Sequence, residues 1–203
     1  MTCWSCHAAT APEDPFCRSC RVVQPEPSGA DLFAAVGLPR RYGVDLGDLE
    51  RRFRDRSRLF HPDRFARASP RERRFSLERT TRLNDAYRTL RDPRRRAGYL
   101  MKLLGHDPLA DARTLHDPEF LEEQLELREG LALARERNDQ RALSLLVLGA
   151  RDRLAALDEE VARLFGAPEP EPDALLAIAR ALARARYFEN VVVEADAPLP
   201  AHS

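Results

Sequence analysis

The spacing of apolar residues divides most of the chain into helices. Between Asp45 and Phe60, Leu46, Leu49, Phe53 and Phe60 keep one face apolar. Asp45 stands where an N-cap belongs, and Pro62 stops the helix because it has no amide hydrogen for another turn. A second helix is predicted from "SPRE": Ser69 caps, Pro70 takes the first helical position and Glu72 completes a capping box. Phe75, Leu83, Ala86, Tyr87 and Leu90 form its apolar face. Two amphipathic helices joined by a short polar loop fold as an antiparallel hairpin. The loop tripeptide His61-Pro62-Asp63 then sits at the exposed tip. Farther along, Leu143, Leu146, Ala150, Leu154, Leu157, Val161 and Leu164 recur at three- and four-residue steps, and Gly166 and Pro168 end that helix. Helical patterns at about 118–137 and 172–190 flank it, which predicts a three-helix bundle. Val191, Val192 and Val193 make the only strand-like run outside the first 24 residues, and no internal repeat is evident.

The expected fold is therefore all-α. A small metal-binding knuckle module (1–24) and a linker (25–30) precede the hairpin domain (31–105). A second linker (106–117), a C-terminal three-helix domain (118–194) and a loose tail (195–203) follow. The longest apolar run, "LSLLVLGA", falls far short of the roughly 20 residues that span a bilayer, so no membrane partner is expected. The start "MTCWSC" has neither a secretory nor a transit-peptide pattern, which predicts a cytoplasmic protein with reduced cysteines. With 33 basic and 33 acidic residues among 203, the formal net charge is zero, and bulk charge gives no case for nucleic-acid binding.

All four cysteines lie in the first 20 residues, as Cys3-x2-Cys6, ten intervening residues, then Cys17-x2-Cys20. Each pair places two thiolates on one tight turn, and two such turns complete a tetrahedral site. Zinc suits four soft thiolates without redox chemistry, and an iron centre uses the same ligands. So short a segment has little core, so a structural metal supplies much of its folding energy. Trp4 and Phe16 are expected to pack around the site.

His61 and Asp63 have the chemistry of a general base and its orienting carboxylate. A catalytic histidine needs a nucleophile, a metal or a pocket, and no motif nearby supplies one, so the chain does not read as an enzyme. The preceding helix carries Arg51, Arg52, Arg54, Arg56 and Arg58, offset only by Asp55. Like charges four residues apart destabilise a helix, which makes sense if an acidic partner docks there.

A basic helix, then His61-Pro62-Asp63, then a helix ending "LNDAYRTLRDP", resembles a J-domain. The longer stretches "LFAAVGLPRRYGVDLGDLERRFRDRSRLFHPDRF", "LNDAYRTLRDPRRRAGYLMKLLGHD" and "DPEFLEEQLELREGL" resemble the HscB family, J-proteins specialised for iron–sulfur cluster assembly. The likeness runs from residue 31 to about 190. It implies a co-chaperone that stimulates ATP hydrolysis by a DnaK- or HscA-type chaperone. The implied contacts there are His61, Pro62 and Asp63, with Arg52, Arg54, Arg58 and Arg64. The resemblance also implies that the C-terminal domain holds an IscU-type cluster scaffold through Leu121, Leu125, Glu126, Glu129 and Tyr187. Glu122 and Leu133 depart from the family pattern, the first replacing an apolar residue and the second an acid. The cysteine segment resembles the N-terminal zinc module of eukaryotic members.

Helical projection of 118–134 agrees with a partner surface. Phe120, Leu127, Leu131 and Ala134 fall on one stripe, whereas Leu125 and Leu133 lie opposite beside Glu126 and Glu129, with Leu121 between. The competing readings are a general J-protein that presents unfolded clients, and a nucleic-acid binder using the cysteine module and arginine helix.

Overall fold

The computed structural model describes residues 1–108, 117–166 and 170–197. Two compact units make up the chain, Met1–Arg96 and Ala97–Ser203. Among the described residues the protein is helical and has no β-strand, only two isolated bridges in the cysteine segment. No helix among these residues is long and apolar enough to cross a membrane.

The first unit holds α1 (Leu32–Val36), α2 (Leu46–Phe60), a 3-10 turn (Pro62–Phe65) and α3 (Pro70–Arg91). α4 (Pro93–Leu103) starts in this unit and ends in the next. The caps form as the sequence predicts. Asp45 accepts from the Gly47 and Asp48 amides at 2.8 and 3.1 Å, and Ser69 and Glu72 close a reciprocal capping box. α2 and α3 pair as a hairpin, and α1 packs on both. Leu49, Leu83, Ala86 and Leu90 are buried, as are Leu32, Phe33 and Val36 of α1. Leu46, expected on the apolar face, is exposed because it lies in the first turn of α2. α1 ends at Gly37 with φ +74°, where any Cβ would collide with the Arg56 guanidinium.

The second unit contains α5 (Pro118–Glu136), α6 (Gln140–Leu164) and α7 (Pro172–Asp196), a three-helix bundle in which α6 packs on both neighbours. Its buried residues include Leu131 and Ala134 of α5, the Leu143–Val161 stripe of α6, and Ile178, Ala181, Ala185, Phe188 and Val191 of α7. Asp117 caps α5 and is held by Arg184 of α7.

Two expectations change. Val191–Val193 is helical, with Val191 buried and Val193 exposed: the stiff β-branched run is the last stretch of α7. The cysteine segment also holds an internal repeat of backbone hydrogen bonds. Residues 25–30 are tied to α3, because Arg79 donates to the Pro25 carbonyl at 3.0 Å and Arg82 to that of Ala30. The first compact unit ends at Arg96, inside α4. Most of the 106–117 linker, the Pro168 stop signal and the end of the 195–203 tail lie outside the described residues.

Candidate functional site

Three surfaces gather the predicted residues. At the hairpin tip, His61 ends α2 in an extended conformation (ψ 128°), as a residue before proline must. Its imidazole then caps the 3-10 turn: Nδ1 lies 3.3 Å from the Asp63 amide and 3.4 Å from Asp63 Oδ2. Both side chains face solvent. The Phe60 carbonyl just before them has lost its helical donor, and two hydroxyls of α3 replace it: Ser76 Oγ at 2.7 Å and Thr80 Oγ1 at 3.0 Å. The tip is therefore bolted to α3 from behind.

The arginine face is more structured than the sequence implies. Asp48 and Glu50, as well as Asp55, supply counter-charges: Asp48 pairs with Arg51 and Arg52, Glu50 with Arg54, and Asp55 with Arg58 at 4.0 Å. Arg52 is also committed inward, donating to the Gly37 carbonyl at 2.6 Å, and Arg56 donates to that of Ala35 at 2.9 Å. Burial lowers the Arg56 pKa, with Arg52 adding to the effect. Arg54 and Arg58 point to solvent, and Arg64 reaches back to the Arg58 carbonyl at 3.1 Å.

The cysteine segment brings all four sulfurs within 4.8 Å of one another. The closest approaches, Cys3–Cys20 at 3.6 Å and Cys6–Cys17 at 3.7 Å, are too long for disulfides. They match the edge of a tetrahedron with metal–sulfur bonds near 2.3 Å, which is about 3.8 Å. The donor set thus fits a tetrahedral thiolate metal ion held by Cys3, Cys6, Cys17 and Cys20. The thiols split apart in acidity. The Cys3 thiol falls to about 6 because, although burial raises it, the Cys6 and Ser5 amides together lower it further. Cys20 rises to about 12: the Val22 amide lowers it, but burial and the other three thiols outweigh that. Four adjacent thiolates need a cation to coexist.

This segment also carries the repeat that the sequence conceals. Three backbone hydrogen bonds of the first turn recur fourteen residues later. Cys3 N to Ala8 O (2.8 Å) matches Cys17 N to Val22 O (2.9 Å), and Thr10 N to Met1 O matches Gln24 N to Pro15 O, both 2.9 Å. The bridges Thr2–Ala9 and Phe16–Val23 correspond, and His7 and Arg21 share the left-handed conformation at φ 62° and 67°. Outside the "C-x-S-C" cores no residue is repeated, so the sequence shows only those cores.

On α5, Leu121, Leu125 and Leu133 are exposed, Glu126 and Glu129 lie beside them, and Leu131 and Ala134 turn inward. The projection separated these faces correctly. Phe188 and Tyr187, which projection could not tell apart, divide cleanly: Phe188 is buried, whereas Tyr187 is half-buried and donates its hydroxyl to the Gln124 carbonyl at 2.9 Å. Burial raises the Tyr187 pKa, opposed by Arg128. Glu122 is exposed and lines an open groove with Glu119, Glu123 and Glu126 over Leu127, Leu146 and Phe188.

Sequence reasoning missed Gln24, Ser76, Arg79 and Thr80. The signal was present, since Ser76 and Arg79 share the helical stripe of Leu83, Ala86 and Leu90 and are buried with it.

Comparison with known proteins gives the family. A family model for the HSCB C-terminal oligomerisation domain matches residues 116–196. A co-chaperone protein HscB homolog of Cupriavidus taiwanensis is 44% identical over 131 residues, 64% of this chain and 68% of that one. The crystal structure of human co-chaperone protein HscB matches with a TM-score of 0.85 at 31% identity, covering 96% of both chains. Chaperone HscB from Vibrio cholerae matches with a TM-score of 0.65 at 33% identity, over 82% of this chain and 96% of its own. The class to which the fold and these likenesses point is that of the helical co-chaperones. The chain belongs to the HscB family.

Proposed function

We propose that the protein docks an iron–sulfur scaffold of IscU type on its C-terminal bundle and presents it to a DnaK- or HscA-type chaperone. The hairpin tip stimulates that chaperone's ATP hydrolysis. The observation that carries this reading is the division of α5: its inner leucines are buried while Leu121 and Leu125 stand in solvent among Glu126 and Glu129. Solitary exposed leucines are ordinary, but two on one carboxylate-rimmed face are a partner surface. Tyr187, anchored against α5, belongs to the same surface. At the other end, His61, Pro62 and Asp63 offer a rigid exposed turn beside Arg54, Arg58 and Arg64, suited to an acidic face. Binding one state of the ATPase better than another shifts its populations without any bond broken by this chain. The cysteine site holds structural zinc, and the protein works in the cytoplasm.

The test is single-turnover ATP hydrolysis by DnaK-type chaperones, with and without scaffold, using the original protein and His61→Gln. Stimulation by the original alone, increased by scaffold, is expected. Stimulation indifferent to scaffold would make it a general J-protein. No stimulation from either form sinks the reading.

A further inference from the structure

The cysteine module packs on the two aromatic residues that bracket the exposed tripeptide. Phe60 precedes His61, and Phe65 closes the 3-10 turn after it. Both are buried, in one cluster with Phe75 and with Val23 of the module, and Trp4 and Phe16 pack against it. Phe16 stacks on Phe60 at 5.8 Å between centroids and 20° between planes, and Trp4 meets Phe75 edge-on at 5.9 Å. Trp4 is fixed in turn by its indole N–H, which donates to the Val23 carbonyl at 2.7 Å.

A polar chain runs beside the aromatic one. Gln24 is fully buried, and its amide nitrogen lies 3.4 Å from Cys3 Sγ and 3.0 Å from the Val22 carbonyl. The Gln24 backbone carbonyl accepts from Arg79 Nε at 2.8 Å, and the Arg79 guanidinium lies 5.1 Å from the centre of the Phe60 ring. The Phe60 ring is thus in contact with Phe16 of the module and with an arginine that the module's own backbone holds. Behind it, Ser76 and Thr80 hold the carbonyl. Phe60 cannot shift without dragging the first residue of the tripeptide.

The module has little core of its own apart from the four sulfurs. Without metal its two turns lose their crosslink, and Phe16, Val23 and Gln24 lose the frame that presents them. We propose that metal occupancy of the four-cysteine site positions the His61–Pro62–Asp63 turn, with Phe16 and Gln24 as the positioning residues that transmit it. The functional consequence, metal-dependent stimulation of a DnaK-type ATPase, rests on the reading above; the structural coupling does not. It leaves the scaffold surface, which lies in the other unit, unaffected.

The experiment is amide hydrogen exchange on the full chain, zinc-loaded and zinc-stripped, with a zinc-loaded Phe16→Ala variant. The Arg64 and Ala66 amides, bonded to the His61 and Asp63 carbonyls, report the turn. Amides of Leu83 to Leu90 in α3 serve as the internal reference. Stripping is expected to speed exchange at Arg64 and Ala66 at least tenfold, with the reference changing less than twofold. Phe16→Ala is expected to keep one equivalent of zinc and still speed the turn several-fold. Unchanged exchange on stripping, or an equal rise throughout Met1–Arg96, overturns the proposal. Wild-type exchange in a zinc-replete Phe16→Ala overturns the assigned route. ATPase stimulation measured in parallel keeps the readings apart, because absence of stimulation by the loaded protein counts against the chaperone contact and not against the coupling.

Discussion

The Phe60 carbonyl offers a sharp energetic test. It lies in the buried seam between α2 and α3 and accepts from Ser76 and Thr80. Removing one hydroxyl, by Ser76→Ala or by the near-isosteric Thr80→Val, leaves the other donor in place. Each single change should therefore cost about 1 kcal/mol, the net worth of one neutral hydrogen bond. Removing both strands a buried carbonyl with no partner, which adds a desolvation penalty of about 1–3 kcal/mol. The double variant should then lose about 3–5 kcal/mol against about 2 for the sum of the singles, a coupling of about 1–3 kcal/mol. Urea denaturation at saturating zinc measures this. Trp4 is the only tryptophan and lies in the first unit, so its fluorescence follows that unit. A double variant that equals the sum of the singles within about 0.5 kcal/mol would refute the shared-acceptor argument.

The remaining predictions concern the bundle. Hydrogen bonding from Arg184 holds the Asp117 carboxyl below the usual range, and the Phe120 amide helps while burial opposes. A depressed folded pKa stabilises fully above the unfolded value of about 3.9 and is lost as pH falls through the lower folded value. Asp117→Asn keeps a capping side chain, so it should lose at most about 1 kcal/mol at pH 7, and the difference from the original should shrink as pH falls through the folded value. Thermal unfolding at pH 7 and in acid checks the sign, and a deficit that grows in acid would contradict it. Phe188→Ala should destabilise the bundle by about 3–5 kcal/mol, whereas Tyr187→Phe should lose only about 1 kcal/mol. Chemical denaturation followed by circular dichroism ranks the two, and equal losses would reject the division of roles. Leu125→Ala, at an exposed position, should leave stability within about 0.5 kcal/mol while weakening scaffold binding at least tenfold by calorimetry. Unchanged affinity would remove Leu125 from the proposed surface.

Much of the helical architecture was legible because local rules and burial agree. Asp45, Ser69 and Glu72 cap where their side chains predict, and α5 turns the residues inward that its period selects. The clustering of the four cysteines was legible from spacing alone. What stayed hidden was polar and long-range. The period of α3 places Arg79 on the buried stripe, but not its partners, the carbonyls of Gln24 and Pro25 more than fifty positions away. Arg52 reads as one of five free charges, yet the αL turn at Gly37 aims a carbonyl at it. Val191–Val193 has strand propensity, but the run lies within α7, where Val191 joins the buried stripe and Val193 stays exposed.

The fourteen-residue correspondence in the cysteine segment has a consequence for orientation. Exchanging the two halves swaps Cys3 with Cys17 and Cys6 with Cys20, and the same four sulfurs are grouped afterwards. The sulfur cluster is therefore blind to which way round the module docks. The choice falls to the pairs that the exchange swaps: Trp4 for Arg18, Thr2 for Phe16, Ala9 for Val23 and Thr10 for Gln24. In each pair the two members differ in size or polarity, and the larger apolar member packs toward the hairpin in the first three. A symmetric clasp has been made one-handed by its side chains, so a variant that evened out those pairs would bind metal as before and lose its sense of direction.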